Sequence, residues 1–145
     1  MNYCKASFED LKELVWAEED AFPGFGQSLV MLAPMVDMGN VRILRNQKKQ
    51  WLAYALLLPS VLNRSQIQIF SFGVSSKVRK QGIGKIFLKS LLEDLRLSYS
   101  EVNLYCNPEN AAAIALYSNA GFVKREFYEN FYGLNSHRHK YHLRF

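Results

Sequence analysis

A short basic stretch, RKQGIGK, contains the residue types that hold a phosphate group. Gly82 and Gly84 fall where a strand ending near Val74 gives way to an amphipathic helix. Glycine lets the backbone approach a ligand closely, and the first amides of a helix form an anion site that the helix dipole reinforces. The stretch therefore predicts a pyrophosphate-binding turn, with an ordinary tight turn as the alternative. Three basic side chains would add long-range attraction: Arg79, Lys80 and Lys85.

Two familiar nucleotide-binding motifs do not fit this stretch. A P-loop needs glycine where Arg79 stands and serine or threonine where Ile86 stands. The dinucleotide fingerprint needs a third glycine at the position of Phe87. Neither of these two modes of nucleotide binding is therefore predicted.

A second block of residues downstream supports the interpretation of this turn as a ligand-binding site. Asn107, Asn110, Tyr117 and the pair Gly121 and Phe122 form the pattern N-x-x-N-x-A-A-x-x-L-Y-x-x-x-G-F. Together with VSSKVRKQGIGK, this block resembles the GNAT superfamily of acyl-CoA-dependent N-acetyltransferases. The family's R/Q-x-x-G-x-G/A motif is matched by Arg79, Gly82 and Gly84. The N-terminal third of the chain carries the least of the match.

The resemblance implies a binding site for acetyl-CoA, with no metal. The loop amides that would bind the pyrophosphate of coenzyme A belong to Lys80, Gln81, Gly82, Ile83, Gly84 and Lys85. The preceding strand would pair with the pantetheine arm and offer a backbone N–H to the thioester carbonyl, stabilising the oxyanion that forms on attack, through Phe72, Gly73 and Val74. Asn110 matches a cofactor-contacting asparagine, and Tyr117 matches the tyrosine that protonates the departing thiolate. Simple packing is the alternative role of Tyr117.

Within that superfamily, the chain most resembles the bacterial ribosomal-protein N-terminal acetyltransferases. NAAAIALY followed by GF carries this likeness, as does ENFYG at Glu129–Gly133, which resembles their aromatic substrate-side segment. The expected reaction is direct acetyl transfer to a protein or peptide α-amine, without a covalent enzyme intermediate. A small-molecule amine (a polyamine, an amino acid or an aminoglycoside) is the alternative acceptor. A further alternative is an acyl-CoA-binding module without turnover.

That last alternative is motivated by Tyr105, which stands where the subgroup has its general-base glutamate. An α-amine needs less help from a base, because roughly 10% of it is neutral at pH 7 against about 0.04% of a lysine amine. The proton could leave through water, with Tyr105, Glu109 or a C-terminal histidine at the far end. The sequence does not choose among these groups.

Other candidate sites are weaker. The histidines of HRHKYH, at positions 137, 139 and 142, lack a carboxylate or cysteine at ligand spacing, so no metal is expected. Cys106 has no readable base beside it and is expected to be a small buried residue. Five aromatic residues could line an acceptor groove or belong to the core: Phe22, Phe25, Phe127, Phe131 and Tyr132.

Charge and composition limit the ligands and partners that the chain is expected to have. Residues 1–38 carry 2 basic and 7 acidic side chains, whereas residues 39–145 carry 16 and 6, a bias that suits an anionic ligand. No nucleic-acid signature, leader or membrane span is readable, and two cysteines are too few for a disulfide framework. The expectation is a cytoplasmic monomer or homodimer that binds neither nucleic acid nor membrane.

The elements that must position these residues follow from the apolar pattern. A strand near Tyr3, a helix behind Ser7 and a short helix ended or kinked near Pro34 come first. A hairpin with its turn at 46–49 follows, and then a strand at 67–74 and a helix from Ile83 to about Leu97. A strand, an alanine-rich helix capped by a left-handed Gly121 and two closing strands complete the chain. This order predicts one α/β domain over residues 1–145, with a mixed central sheet flanked by helices.

Overall fold

The architecture is a seven-stranded mixed sheet with four helices, seen in a computed structural model that describes residues 1–145. The strands are β1 (Asn2–Lys5), β2 (Val41–Arg45), β3 (Trp51–Pro59), β4 (Gln66–Val74), β5 (Glu101–Cys106), β6 (Val123–Tyr128) and β7 (Arg138–Arg144). The helices are α1 (Leu11–Ala21), α2 (Leu29–Asp37), α3 (Ile83–Leu95) and α4 (Ala111–Asn119). The strand order is β1-β2-β3-β4-β5-β7-β6, and β4 pairs with β5 in parallel across the α3 connection. The predicted α/β class and mixed sheet are confirmed.

The predicted element order is confirmed, with one difference at α2. The sequence predicts an end or a kink near Pro34, yet α2 continues through this residue to Asp37. Proline removes one backbone donor, but its carbonyl still accepts a bond from the Met38 amide at 3.0 Å. Burial of Leu32, Met35 and Val36 on either side of the proline favours the continued helix.

The residues group into two compact units, and the first comprises residues 1–57 and 71–91. Its core is built from side chains that are at most 2% exposed: Leu14, Leu32, Ile43, Tyr54, Leu56, Phe87, Leu88 and Leu91. The last three form the apolar stripe of α3 that the sequence predicts. Each such side chain contributes about 1.5–3 kcal/mol of burial free energy. The stripe therefore fixes the helix whose first turn begins just after Gly82.

The second unit comprises residues 58–70 and 92–145. β5 pairs with β4 on one side and with β7 on the other, and Ile67, Val102 and Leu104 are buried on one face. Gly121 adopts φ +95° after α4, and the Phe122 amide donates to the Tyr117 carbonyl at 3.0 Å. The predicted left-handed cap is confirmed. None of the four helices combines the length and the apolar character required to cross a bilayer.

A histidine in the second unit bridges two carboxylates. His142 Nδ1 lies 2.8 Å from Glu101 Oε1, and its Nε2 lies 3.0 Å from Glu126 Oε2. Both ring nitrogens can donate only when the imidazole is protonated. The hydrogen bond with His142 lowers the pKa of the buried Glu101 carboxyl, although burial alone would raise it. The His142 side chain thus links β7 to both β5 and β6.

Replacing Glu101 by glutamine is expected to lower the free energy of unfolding by about 1–3 kcal/mol near neutral pH, the usual range for a charged hydrogen bond. Because the folded-state pKa of Glu101 lies below its unfolded value, this stability is present above the ordinary carboxyl pKa. It is lost as pH falls through the lower folded value. Urea unfolding from pH 3 to 7 measures the difference, and Glu126→Gln, at the exposed partner, is the control with the smaller effect. An equal wild-type advantage at pH 3 would contradict the assignment.

Candidate active site

The predicted pyrophosphate turn, in the first unit, has an unusual backbone. Lys80 adopts φ +61° and Gly82 adopts φ +79°, and no atom lies within 4 Å of the position where a Gly82 Cβ would stand. Left-handed non-glycine residues are uncommon and cluster at functional sites. The Gly82 carbonyl accepts the first bond of α3, from the Ile86 amide at 3.1 Å. The amides of the first turn therefore have no acceptor within the helix and can bind an anion.

The segment before the turn is anchored to α1 by Asp20. Its carboxylate accepts hydrogen bonds from the Ser76 amide at 2.8 Å and from the Ser76 hydroxyl at 2.6 Å. Burial raises the pKa of Asp20, but these bonds and the charges of Arg79 and Lys77 outweigh it and lower the pKa overall. Arg79 itself donates to the Val74 carbonyl and the Asp20 carbonyl at 3.1 Å each. Arg79 thus has a structural role, and its attraction of a ligand stays a prediction.

The end of β4, predicted to face the thioester, is held from both sides within the first unit. A Cβ added to Gly73 would lie 2.2 Å from Tyr54 Cε1, so only glycine fits beneath this ring. On the adjacent residue, the Phe72 ring packs against Phe87 with centroids 5.3 Å apart. The Ser75 amide donates to the Leu52 carbonyl at 2.9 Å. These contacts limit movement of the strand end that contains the predicted oxyanion donors.

Glu18 is a residue that the sequence analysis missed. It is 1% exposed, and its carboxylate accepts hydrogen bonds from the Ser71 hydroxyl at 2.7 Å and from the Gln27 amide at 2.8 Å. It therefore ties α1 to β4 and to the segment that follows α1. The buried Tyr54 hydroxyl makes no hydrogen bond of good geometry, yet burial and the nearby Glu18 carboxylate raise the pKa of Tyr54. A signal was present: Glu18 continues the helical spacing of Leu14 on the apolar face.

In the second unit, Asn110 and Tyr117 belong to α4. Asn110 is the N-cap, and its side-chain oxygen accepts from the Ala113 amide at 3.0 Å. Tyr117 is 8% exposed and packs edge-on against Phe122. Burial, with a smaller effect of Cys106, raises the pKa of Tyr117 and keeps its phenol protonated. A protonated phenol is the state required of a proton donor, so the geometry is compatible with the predicted role.

Tyr105, at the position of the family's glutamate, is part of an aromatic cluster. Its ring stacks on Phe131 with centroids 4.4 Å apart and meets Tyr128 at 5.7 Å. Burial and the Glu126 carboxylate raise the pKa of Tyr105, so it is a poor base at neutral pH. Glu109 is exposed, and His142 is engaged by two carboxylates. These properties disfavour Tyr105, and the choice of base stays open.

The remaining candidates have ordinary surroundings. His137 accepts a hydrogen bond from the Asn130 amide at 3.1 Å, and His139 packs against Phe127. No three His, Cys, Asp or Glu side chains are arranged to hold a metal ion. Cys106 is buried as predicted, and burial raises the pKa of its thiol. The five predicted groove aromatics are all substantially exposed: Phe22, Phe25, Phe127, Phe131 and Tyr132.

Comparison with known proteins relates these features to a family. A family model described as Acetyltransferase (GNAT) family matches residues 8–122. Among curated proteins, N-acetyltransferase 8F1 of Mus musculus is 41% identical over 64 residues, which are 43% of this chain and 29% of that protein. N-acetyltransferase family 8 member 3 of Rattus norvegicus is 36% identical over 73 residues, 49% of this chain and 32% of that protein. The matched segments thus span about a third or less of these relatives.

Solved structures share the fold over nearly the whole chain. The ribosomal-protein-S18-alanine N-acetyltransferase of Escherichia coli has a TM-score of 0.83 at 22% identity, covering 99% of this chain and 92% of that one. The ribosomal-protein-alanine N-acetyltransferase of Brucella melitensis has a TM-score of 0.83 at 19% identity, with complete coverage of both. A chain from the NatC complex, bound to Gag peptide and CoA, has a TM-score of 0.83 at 20% identity and covers 99% and 98%. At these identities the likeness concerns the fold.

Proposed function

Because this chain belongs to the GNAT family of acetyltransferases, we propose that it transfers the acetyl group of acetyl-CoA directly to a primary amine, preferably the α-amine of a peptide or protein N-terminus. The observation that carries the proposal is the turn before α3. Its left-handed Lys80 and Gly82 open the first amides of a long, firmly packed helix toward an anion. Acetyl-CoA, when bound, supplies an acyl carbon already activated as a thioester.

The proposed roles of the cofactor-binding residues follow from their backbone positions. Amides of residues 80–85 bind the pyrophosphate, and the side chain of Arg79 supports the turn. A backbone N–H at residues 72–74 donates to the oxyanion that forms when the amine attacks. Asn110 contributes its side-chain amide to cofactor binding while its oxygen caps α4. The contacts of Gly73 with Tyr54 keep the donor strand in place before substrate arrives.

Tyr117 is the proposed proton donor to the departing thiolate. Its raised pKa makes it a weaker acid than an ordinary phenol, but it also ensures that the proton is present. A hydrogen bond from a buried phenol stabilises a buried thiolate more than water-exposed donors do, because the local dielectric is low. The amine attacks without help from a carboxylate at position 105, which favours acceptors that are already partly neutral, as α-amines are.

An acceptor screen tests the proposal. Thiol release from acetyl-CoA is measured with matched peptides whose N-terminus is free or blocked, with lysine present in both, and with free amino acids, polyamines and aminoglycosides. We expect turnover on the free N-termini and less than about a tenth of that rate on their blocked counterparts. Turnover confined to polyamines, amino acids or aminoglycosides would overturn the preferred acceptor class.

The same screen addresses a function without catalysis. The aromatic, poorly basic Tyr105 is the observation that favours an acyl-CoA-binding module. Binding of acetyl-CoA in calorimetry, with no thiol release in the presence of any of these acceptors, would support that alternative. Thiol release that requires an added amine would exclude it.

A further inference from the structure

Two cations on β7, in the second unit, lack an acidic partner within the protein. Arg138 and Lys140 are both half-buried, and no carboxylate lies within 4.0 Å of either charged group. Glu126 stands opposite Lys140 in the strand register, yet its carboxylate pairs with His142 instead. The acid opposite Lys140 in the register is thus engaged by another group. Both cations are partly exposed, so an anion supplied from outside can reach them and pair with them.

An aromatic platform holds both cations in position. The Arg138 guanidinium lies 4.9 Å from the centroid of Tyr132, and the Lys140 ammonium lies 5.5 Å from the centroid of Tyr105. Arg138 also donates to the His137 carbonyl at 2.6 Å. Residues 138 and 140 share one face of β7 because side chains alternate along a strand. The result is a pair of charges over two rings, and Phe131 stacks on Tyr105 and meets Tyr132 edge-on.

The platform lies at the end of β5, next to Cys106 in the chain. Burial raises the pKa of Cys106, and the positive charge of Arg138 opposes that rise. Cys106 also directly follows Tyr105 on β5, so the platform and the thiol lie on opposite faces of one strand end. Under the proposed function the platform belongs to the acceptor side, because Tyr105 occupies the family's general-base position and Tyr132 lies in the segment that resembles the relatives' substrate-side segment.

We propose that Arg138 and Lys140 form an anion subsite that selects acceptor peptides with an acidic residue close to their free N-terminus. The inference rests on the proposed function and narrows its substrate class. Charge complementarity argues for a carboxylate and against polyamines and aminoglycosides, which are polycations. Exposed apolar side chains in the adjoining segment, Tyr132 and the 85% exposed Leu134, extend the surface beyond the size of a single amino acid. The occupant is a peptide rather than a free amino acid.

The test compares peptide pairs that differ only in glutamate or glutamine at the second or third position. For the wild type, we expect kcat/KM to be at least about tenfold higher on one glutamate peptide than on its glutamine partner, roughly 1.4 kcal/mol. The preference should fall as salt increases, since screening weakens exposed charge pairs. In the Arg138→Gln/Lys140→Gln variant the ratio should approach one, while kcat/KM on the glutamine peptide stays within about threefold of the wild type.

Lys124→Gln is the control matched to Lys140→Gln, because it removes one positive charge from an exposed position on the neighbouring strand β6. It should retain the wild-type glutamate preference. The single Lys140→Gln variant serves if the double variant fails to fold, and it should lose part of the ratio. Turnover with equal rates on both peptides, or a preference that survives in the variants, would overturn the anion subsite alone. Absence of turnover on every peptide would overturn the proposed function and the subsite with it.

Discussion

Replacement of Tyr117 by phenylalanine is expected to lower kcat by about 10²- to 10³-fold, within the range that general acid catalysis contributes. The ring remains, so its packing against Phe122 is kept and the loss isolates the hydroxyl. Without it, the thiolate departs unprotonated from a buried site. Because binding of acetyl-CoA does not require the proton, its Kd should change by less than about threefold. Steady-state thiol release and calorimetry measure the two quantities.

Tyr141→Phe is the matched control for this prediction. Tyr141 is also buried, at 4% exposure, and burial and Cys106 likewise raise the pKa of its phenol. It lies on β7 rather than on α4, and the proposed function gives it no role. The control should keep kcat within about threefold of the wild type. Equal losses in the two variants would indicate packing around Cys106 rather than proton donation by Tyr117.

Replacement of Gly82 by aspartate is expected to weaken acetyl-CoA binding by at least about 100-fold, or about 2.7 kcal/mol. The φ of +79° makes any side chain costly by about 1–2 kcal/mol, and the new carboxylate would repel the pyrophosphate at the amides that bind it. Isothermal titration with acetyl-CoA measures the loss. Gly82→Ala, which introduces the strain without the charge, should lie between the wild type and the aspartate variant.

A second glycine separates the effect on binding from the effect on folding. Gly39 has φ +70° and, like Gly82, open space around the position of its Cβ, but it follows α2 rather than preceding α3. Gly39→Asp should therefore reduce thermal stability by a similar amount while leaving the Kd of acetyl-CoA unchanged. A folded Gly82→Asp protein that binds acetyl-CoA as the wild type does would refute the assignment of the turn.

The parts of the fold that depend on local pattern could be predicted from the sequence. The stripe of Phe87, Leu88 and Leu91 predicts α3, and Gly121 predicts the end of α4, because both signals act within a few residues. At Pro34 the predicted alternative of helix termination does not occur, because burial on both sides of the proline outweighs this local rule. The turn at residues 80–85 likewise follows from local signals, the glycines and basic residues, and its role in cofactor binding stays a prediction.

Features that depend on distant pairing could not be predicted in this way. The raised pKa of Tyr105 depends on burial and on Glu126, and Glu126 reaches Tyr105 only through the registers of β5, β6 and β7. Lys140 has no acidic partner because the Glu126 carboxylate pairs with His142 instead. Such a pairing cannot be predicted from the periodicity of the sequence. Glu18 is the exception, because a carboxylate on the apolar face of a helix is a local signal that the side chain has a distant partner. That partner is Ser71.

The contact between Gly73 and Tyr54 also constrains how this chain can change by mutation. No side chain can be accepted at residue 73 while a tyrosine occupies residue 54, because the two would overlap. A smaller residue at position 54 would have to come first, and it would leave a cavity in the buried core. The intermediate is less stable than either end point, so substitutions at the two positions are expected to occur together. Tyr54 therefore restricts substitution at Gly73, in the strand end proposed to bind the thioester, without itself contacting the substrate.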